Sequence, residues 1–303
     1  MNRINITTCP VCGGTELKQE MTCVDHCATG ETFQLWRCAG CGFLFTQDFP
    51  ADDSMDDYYD APAYISHTDT WQGIVNTTYH LVRAFMLRRK ARLVERAAHL
   101  RKGNLLDIGA GTGYFARAMM KRGWQVKAVD SSIAARNYAL IHFDHNIEED
   151  SAIAGYADHS FNVVTLWHVM EHIEHLEHIW NEIYRLLDSK GVLVVAAPNH
   201  LSADARKYGA YWAAYDVPRH RWHFTPSTIQ RLAGKYGFIM AAHYPMPFDA
   251  FYISMLSEQY MRSDHDMVRG LASGASAWLK SLGRKELSSS MIYVFRKKQQ
   301  SKP

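Results

Sequence analysis

Leu105-Leu106-Asp107-Ile108-Gly109-Ala110-Gly111-Thr112-Gly113-Tyr114 is the stretch that decides the fold. An apolar run enters three glycines at alternate positions, and an apolar helical pattern follows from Tyr114 to Lys121. Gln125-Val126-Lys127-Ala128-Val129-Asp130 then reads as a second strand ending on an acid. Strand, glycine turn, helix, strand, acid is the unit that holds a nucleoside at the carboxyl edge of a parallel sheet. Further strands are expected at Asn146-Ile147, Phe161 to Leu166, Gly191 to Ala197, Phe238 to His243 and Met291 to Phe295. Pro198-Asn199 stops the strand before it, and Thr225-Pro226-Ser227-Thr228 opens a helix to Lys235.

Spacing decides which nucleoside. A dinucleotide fingerprint is G-x-G-x-x-G, whose third glycine lets a helix pack close beside a pyrophosphate. Here the glycines are Gly109, Gly111 and Gly113, and Tyr114 stands where that third glycine would be. Asp107, just ahead of the turn, would repel phosphate and attract a cationic ligand. S-adenosylmethionine (SAM) has no phosphate and carries a sulfonium and an ammonium. The stretch resembles the first motif of the class I SAM-dependent methyltransferases, which has the form of Asp107-Ile108-Gly109-Ala110-Gly111-Thr112-Gly113. The resemblance implies an α/β fold, a Rossmann-like seven-stranded SAM methyltransferase sheet. Asp130 suits the ribose hydroxyls, because a carboxylate accepts two donors at once. Asp107, Gly109, Gly111, Gly113, Tyr114, Asp130 and Ser131 are the expected cofactor contacts.

With 303 residues, 47% apolar and 21% charged, the chain has ordinary globular composition. A net charge of +2 gives no electrostatic case for nucleic acid or an anionic membrane. Met1 to Thr8 lacks the apolar core of a signal peptide, and no apolar run approaches the roughly 20 residues of a membrane span. The expectation is a cytoplasmic protein with no membrane span.

Ahead of the glycine turn, Cys9-Pro10-Val11-Cys12-Gly13 and Cys38-Ala39-Gly40-Cys41-Gly42 are two C-x-x-C knuckles. Four thiolates, each pair followed by a glycine that permits the turn, suit a tetrahedral structural zinc at Cys9, Cys12, Cys38 and Cys41. Phe33-Gln34-Leu35-Trp36-Arg37 alternates as a strand of such a zinc ribbon, and Cys23 and Cys27 read as ordinary thiols. The ribbon segment carries six aspartates from Asp25 to Asp57 and few bases, so phosphates would be repelled. Residues 1–60 are expected as ribbon and linker, with Tyr58, Tyr59 and Tyr64 packing back on the site or lying in a surface loop. A helical cap is expected over 61–103, with Arg88-Arg89-Lys90, Arg92 and Arg96 on its solvated face. The methyltransferase domain is expected over 104–303, interrupted by a helical insertion or lid at 245–289, and the tail from Arg296 reads as frayed.

Two segments carry the candidate chemistry. Trp167-His168-Val169-Met170-Glu171-His172-Ile173 leaves the fourth strand at the sheet edge where ligands bind. It resembles the methyltransferase loop H-V-x-E-H, which touches SAM through His168 and faces the acceptor. Three readings compete. A metalloprotease motif H-x-x-E-H fits the letters but belongs on a long helix. A divalent metal at His168, Glu171 and His172 resembles the E-x-x-E-H cluster of some SAM enzymes, with His168 replacing the first acid and favouring a softer metal. A metal-free reaction makes His172 or a later histidine the general base, with His168 lending its backbone to the cofactor. Glu174, His175, Glu177 and His178 read as a solvated helix face. The second segment, Asp216-Val217-Pro218-Arg219-His220-Arg221-Trp222-His223-Phe224, offers His220 or His223 as base and Arg219 or Arg221 for an anionic acceptor; a packed loop with Arg219 paired to Asp216 is the plainer reading.

Pro198-Asn199 and Pro218 to Phe224 match the P-N and P-R-H-x-x-H-F segments of a broad methyltransferase family, and the front resembles a bacterial subgroup with a four-cysteine ribbon. The resemblance implies methyl transfer to a small-molecule hydroxyl of a saccharide, quinone or other metabolite. An RNA methyltransferase gripping RNA with the ribbon, and a non-catalytic SAM-binding scaffold, are the rivals. The acceptor and the oligomeric state are not legible.

Overall fold

The computed structural model describes residues 2–59, 74–246 and 248–299, with side chains in the first helix after the gap described from Val82 onward. Pro62, Tyr64 and most of the linker from residue 60, and the tail at 300–303, lie outside the described residues.

The front segment comprises β1 (Arg3–Ile4), β2 (Leu17–Val24), β3 (Thr32–Cys38), β4 (Leu44–Thr46) and β5 (Phe49–Pro50). β2, β3 and β4 form an antiparallel meander, and β1 pairs with β5. After them come α1 (Asp56–Tyr59) and α2 (Ile74–Ala98). Alternation then gives β6 (Asn104–Ile108), α3 (Tyr114–Met120), β7 (Gln125–Val129), α4 (Ile133–Phe143), β8 (Phe161–Trp167), α5 (Leu176–Leu186) and β9 (Leu187–Pro198). α5 buries Leu176, Ile179, Trp180, Ile183 and Leu186, an apolar stripe at helical spacing. α6 (Ala203–Tyr208) and β10 (Trp222–His223) precede α7 (Pro226–Lys235), which opens with a capping box between Thr225 and Thr228 and Pro226 in its first turn. β11 (Phe238–Met246), α8 (Asp249–Tyr260), α9 (Asp266–Gly283) and β12 (Ser290–Lys297) complete the chain.

The main sheet runs β11-β12-β9-β8-β6-β7. β7, β6, β8 and β9 are parallel, and β12 is antiparallel between β9 and β11. This is a Rossmann-like sheet of six strands, one fewer than the expected seven. The expected third strand shrinks to one parallel bridge, Val129 to Glu148, beyond β7. Only Glu148 makes ladder bonds there, to Ala128 and Asp130, before the chain turns into the Asp150–Gly155 helical turn. β12 runs on through Arg296 and Lys297, so the frayed tail begins later than expected; Lys297 Nζ donates to Leu187 O at 2.5 Å and fixes the strand end.

The front segment is not a separate body. β10 pairs with β4, so the small sheet takes its fourth strand from residues 222–223. Phe43, Phe45 and Phe49 share one apolar core with Trp222, Phe224, Trp180 and the main-sheet residues Leu193 and Val195. A second core joins Phe33, Leu35 and Tyr58 to Tyr208, Trp212 and Ile253 of α8. No helix among the described residues is long and apolar enough to cross a membrane.

Candidate active site

β6 delivers Asp107 into the sheet interior, where its carboxylate accepts Thr165 Oγ1 at 2.6 Å. Burial pushes its pKa up to about 7, against the opposing pull of Thr165 and of the Lys90 charge. Gly109, Gly111 and Gly113 all take positive φ, at 67°, 53° and 78°, which only glycine adopts without strain. A Cβ on Gly109 would sit 2.3 Å from Val169 Cγ2, whereas one on Gly111 meets nothing within 4 Å. Gly109 therefore seats the loop after β8 against the turn, and Gly111 leaves the cradle open. Asp130 accepts Gly111 N at 2.7 Å and Ser132 N at 2.9 Å, one on each oxygen. Each oxygen keeps a second lone pair, which fits two ribose hydroxyls. Ser131 is exposed and its carbonyl accepts from Arg136 at 2.8 Å. Tyr114 lies under the Arg83 guanidinium, 3.9 Å from its ring, with Tyr138 Oη 3.0 Å from its hydroxyl.

On the other side of the cradle, the loop after β8 turns at His168, whose φ is 59° and whose N–H donates to Ala196 O at 2.9 Å. Its ring stands between two carboxylates, Nδ1 3.4 Å from Glu171 Oε1 and Nε2 3.2 Å from Asp249 Oδ2. Burial disfavours its charge, but Asp249 and Glu171 outweigh it and raise the pKa to about 9. His168 is thus a cation at neutral pH and ties the first residue of α8 to the loop. Its contact with Glu171 is ionic, and neither Glu171 oxygen has a hydrogen-bond partner among the described residues.

His172 and His220 meet edge to face, with ring centroids 4.5 Å apart. Backbone pairing brings them together: Arg221 N donates to Glu171 O at 2.9 Å, and Trp222 Nε1 donates to Ile173 O at 2.5 Å. Glu171, His172 and His220 each offer a ligand atom within 4.8 Å of the others. The sequence points to His168, Glu171 and His172 as the metal-capable group; with His168 held by Asp249, His220 takes its place in the observed cluster. His220 Nδ1 donates to Ala214 O at 2.8 Å, so its lone pair is on Nε2. Burial, with the neighbouring His220, holds His172 down at about 4, so its ring is neutral at pH 7. Tyr59 Oη lies 3.3 Å from His172 Nδ1.

His223 stands apart, buried in the small sheet on β10. Thr46 Oγ1 donates to His220 O at 2.7 Å, so His223 Nε2, 3.1 Å away, must donate to Thr46. Arg219 and Arg221 are both buried and join the front segment to the loops. Arg219 binds Asp216, Asp25 Oδ1 at 2.9 Å and Tyr58 O at 2.9 Å. Arg221 binds His172 O and Asp52 Oδ1, both at 2.6 Å. Glu174 leaves the expected solvated face: its carboxylate accepts Asp52 N at 2.7 Å, because the front segment packs on it.

Three residues at the site escaped the sequence: Asp249, Thr46 and Lys90. The Lys90 ammonium is 4.4 Å from the Trp167 ring, its pKa lowered by burial with Asp249 and Asp107 opposing. Its spacing from Met86 and Val94 puts it on the apolar helix face, which was the available signal. In the front segment, Cys9 Sγ is 3.6 Å from Cys41 Sγ and Cys12 Sγ 3.5 Å from Cys38 Sγ, with all four mutually within 4.8 Å. A tetrahedral zinc with bonds of about 2.3 Å needs sulfurs about 3.8 Å apart, so the donor set fits the ion. Gly13 and Gly42 follow the knuckles at φ 75° and 74°. Cys23 and Cys27 lie outside this group.

Known proteins follow the same outline. A family described as a methyltransferase domain matches residues 82–243, just over half of the chain. A ubiquinone biosynthesis O-methyltransferase of Xanthomonas oryzae pv. oryzae is 27% identical over 129 residues, 40% of this chain and 54% of that protein. The protein of the same name from Psychrobacter arcticus is 26% identical over 160 residues, 46% of this chain and 62% of that protein. The chain thus spans between half and two thirds of the curated relatives it matches. A solved SAM-dependent methyltransferase from Archaeoglobus fulgidus shares the fold, with a TM-score of 0.51 at 19% identity over 72% of this chain and 94% of that one. With more than half of the chain matched, the chain belongs to the methyltransferase-domain family, and it shares the fold of the SAM-dependent methyltransferases.

Proposed function

We propose that the chain transfers a methyl group to a hydroxyl of a small-molecule acceptor, a saccharide, quinone-type or other metabolite, at the face formed by His172 and His220. The observation that carries this reading is the His220 ring, fixed through Nδ1 on Ala214 O, with Nε2 3.9 Å from Asp216 Oδ2 and a ring nitrogen within 4.8 Å of Glu171 and His172. A hydroxyl must lose its proton as it is methylated, and His220 Nε2 is the atom that takes it. Glu171, buried and anionic, stabilises the imidazolium that results. SAM, when bound, supplies the electrophilic methyl. Asp130 and the open turn at Gly111 hold its nucleoside, while Asp107 and Lys90 face its charged amino-acid end. The insertion at 245–289 walls the acceptor side through Asp249, and a structural zinc sits in the four cysteines. The curated relatives named as O-methyltransferases support an oxygen acceptor.

A second reading is favoured by Glu171, whose buried oxygens lack hydrogen-bond partners among the described residues. Glu171, His172 and His220 offer one oxygen and two nitrogens, a donor set suited to manganese or zinc more than to magnesium. A cation there would stabilise the acceptor as its anion.

Transfer of labelled methyl from SAM to phenolic and saccharide acceptors tests both. His220→Ala should lower kcat by about 100-fold or more with SAM Kd unchanged. Undiminished turnover in His220→Ala and His172→Ala, or label on nitrogen or carbon, would overturn the reading. Chelation that abolishes turnover, restored by manganese while the ribbon retains its zinc, selects the metal form; turnover that survives chelation rejects it.

A further inference from the structure

We infer that α9 is a self-association element through which two copies of the chain pair antiparallel about a two-fold axis at Ala275. The helix is inside out. Gly270, Gly274, Ala277 and Ser281 are its buried residues, packed on α8; a Cβ on Gly270 would sit 2.5 Å from Met255 Cα, and one on Gly274 2.6 Å from Phe251 Cα. Its large apolar side chains face outward instead: Val268 is 68% exposed, Leu271 45%, Leu279 59% and Leu282 64%. A helix that only covers a core carries the opposite pattern.

The exposed residues are placed symmetrically. Val268 and Leu282 lie equally far on either side of Ala275, and so do Leu271 and Leu279. At about 100° per residue, all five fall within about 40° of one line along the helix, about 130° round from the line of Gly270, Gly274, Ala277 and Ser281. An antiparallel pairing of two such helices sets Val268 on Leu282 of the second copy, Leu271 on Leu279, and Ala275 on itself. The small side chain at the crossing point permits a close interaxial approach. An isologous contact requires a surface complementary to itself under a two-fold rotation.

Charge agrees with the direction. Asp264 and Asp266 make the N-terminal end net acidic despite Arg269, and Lys280, Arg284 and Lys285 make the C-terminal end net basic despite Glu286. Antiparallel pairing puts the acidic end of one copy beside the basic end of the other, and the helix dipoles align favourably too. A lipid surface would call for basic residues at both ends, and an unrelated protein partner would not require the symmetric spacing.

Sedimentation of the full chain across a micromolar concentration series should give a species of twice the 34.6 kDa chain mass. The double variant Leu271→Glu/Leu279→Glu should be monomeric with SAM binding unchanged, and its thermal transition should lose the dependence on protein concentration that the wild-type dimer shows. Ala275→Cys should form a covalent dimer on mild oxidation, while the wild type and Ser276→Cys should not. A wild-type monomer throughout, a dimer that survives the double variant, or a monomer that binds phosphatidylserine vesicles through Leu271 and Leu279 overturns the inference.

Discussion

Asp107 is a charge kept where it costs the empty protein stability. Its pKa in the fold is about 7, against roughly 3.9 for a free aspartate, so the folded state holds its proton more tightly. The stability it contributes is full below about pH 3.9 and is lost as pH rises through about 7, a penalty of up to roughly 4 kcal/mol. A cationic ligand favours the ionised form. Asp107→Asn should therefore raise the melting temperature of the ligand-free protein at pH 8 while weakening SAM binding about tenfold or more. In the wild type, SAM affinity should climb between pH 6 and pH 8; calorimetric titrations that are flat over that range, or a variant with unchanged affinity, would remove Asp107 from the site. Gly109→Ala tests the same turn from the backbone side. Its Cβ collides with Val169 at a positive φ, so we expect a loss of about 1–3 kcal/mol in chemical denaturation, with displacement of the loop that carries Glu171 and His172. These glycines and acids were readable because the turn admits few residue types at fixed spacing. Lys90 was not, because Arg88 and Arg89 beside it are exposed and mark the run as a solvated face. The ring of His168 has Asp249 as its partner, in a segment between β11 and β12 that no local pattern ties to it.

At the scale of elements, the informative pairing is β4 with β10. The two cysteine knuckles announced a ribbon, and the ribbon strand Thr32–Cys38 lies where alternation put it. That the ribbon completes its sheet with residues 222–223 could not be read, since pairing across more than 170 residues leaves no periodicity. Its consequence is that the front segment holds His220 in place: Thr46 binds the His220 carbonyl, and Asp25 binds Arg219. Thr46→Val should lower turnover several-fold without altering SAM affinity; a parallel loss of both would indicate a general structural defect instead. Asp25 and Arg219 are fully buried, and Asp216 stays as a second carboxylate partner of the guanidinium, so Asp25→Ala removes one charge-assisted hydrogen bond and should cost about 1.5–3 kcal/mol in urea denaturation. Two arginines that suggested an anionic acceptor are thus explained by the seam between the segments.

Across the whole molecule, the strands of the main sheet, apart from the third, were legible in alternating strand and helix patterns, whereas the way the pieces share their interior was not. Cys9, Val11 and Cys38 belong to the same core as Trp180, Phe224 and Val195, so the knuckles are anchored in the apolar centre that also supports β9. A ribbon joined to its neighbour by a linker would melt on its own. One joined by a shared strand and a shared core exposes that core when it opens, and the main sheet loses the same contacts. Metal-bound thiolates stabilise the folded state alone, by the free energy of ion binding. Cys38→Ser, or removal of the proposed ribbon zinc by a chelator, should therefore shift a single calorimetric transition downward as a whole. The ratio of calorimetric to van't Hoff enthalpy should stay near one. A separate low-temperature ribbon transition, with the main transition unmoved, would show that the shared core does not couple the two segments.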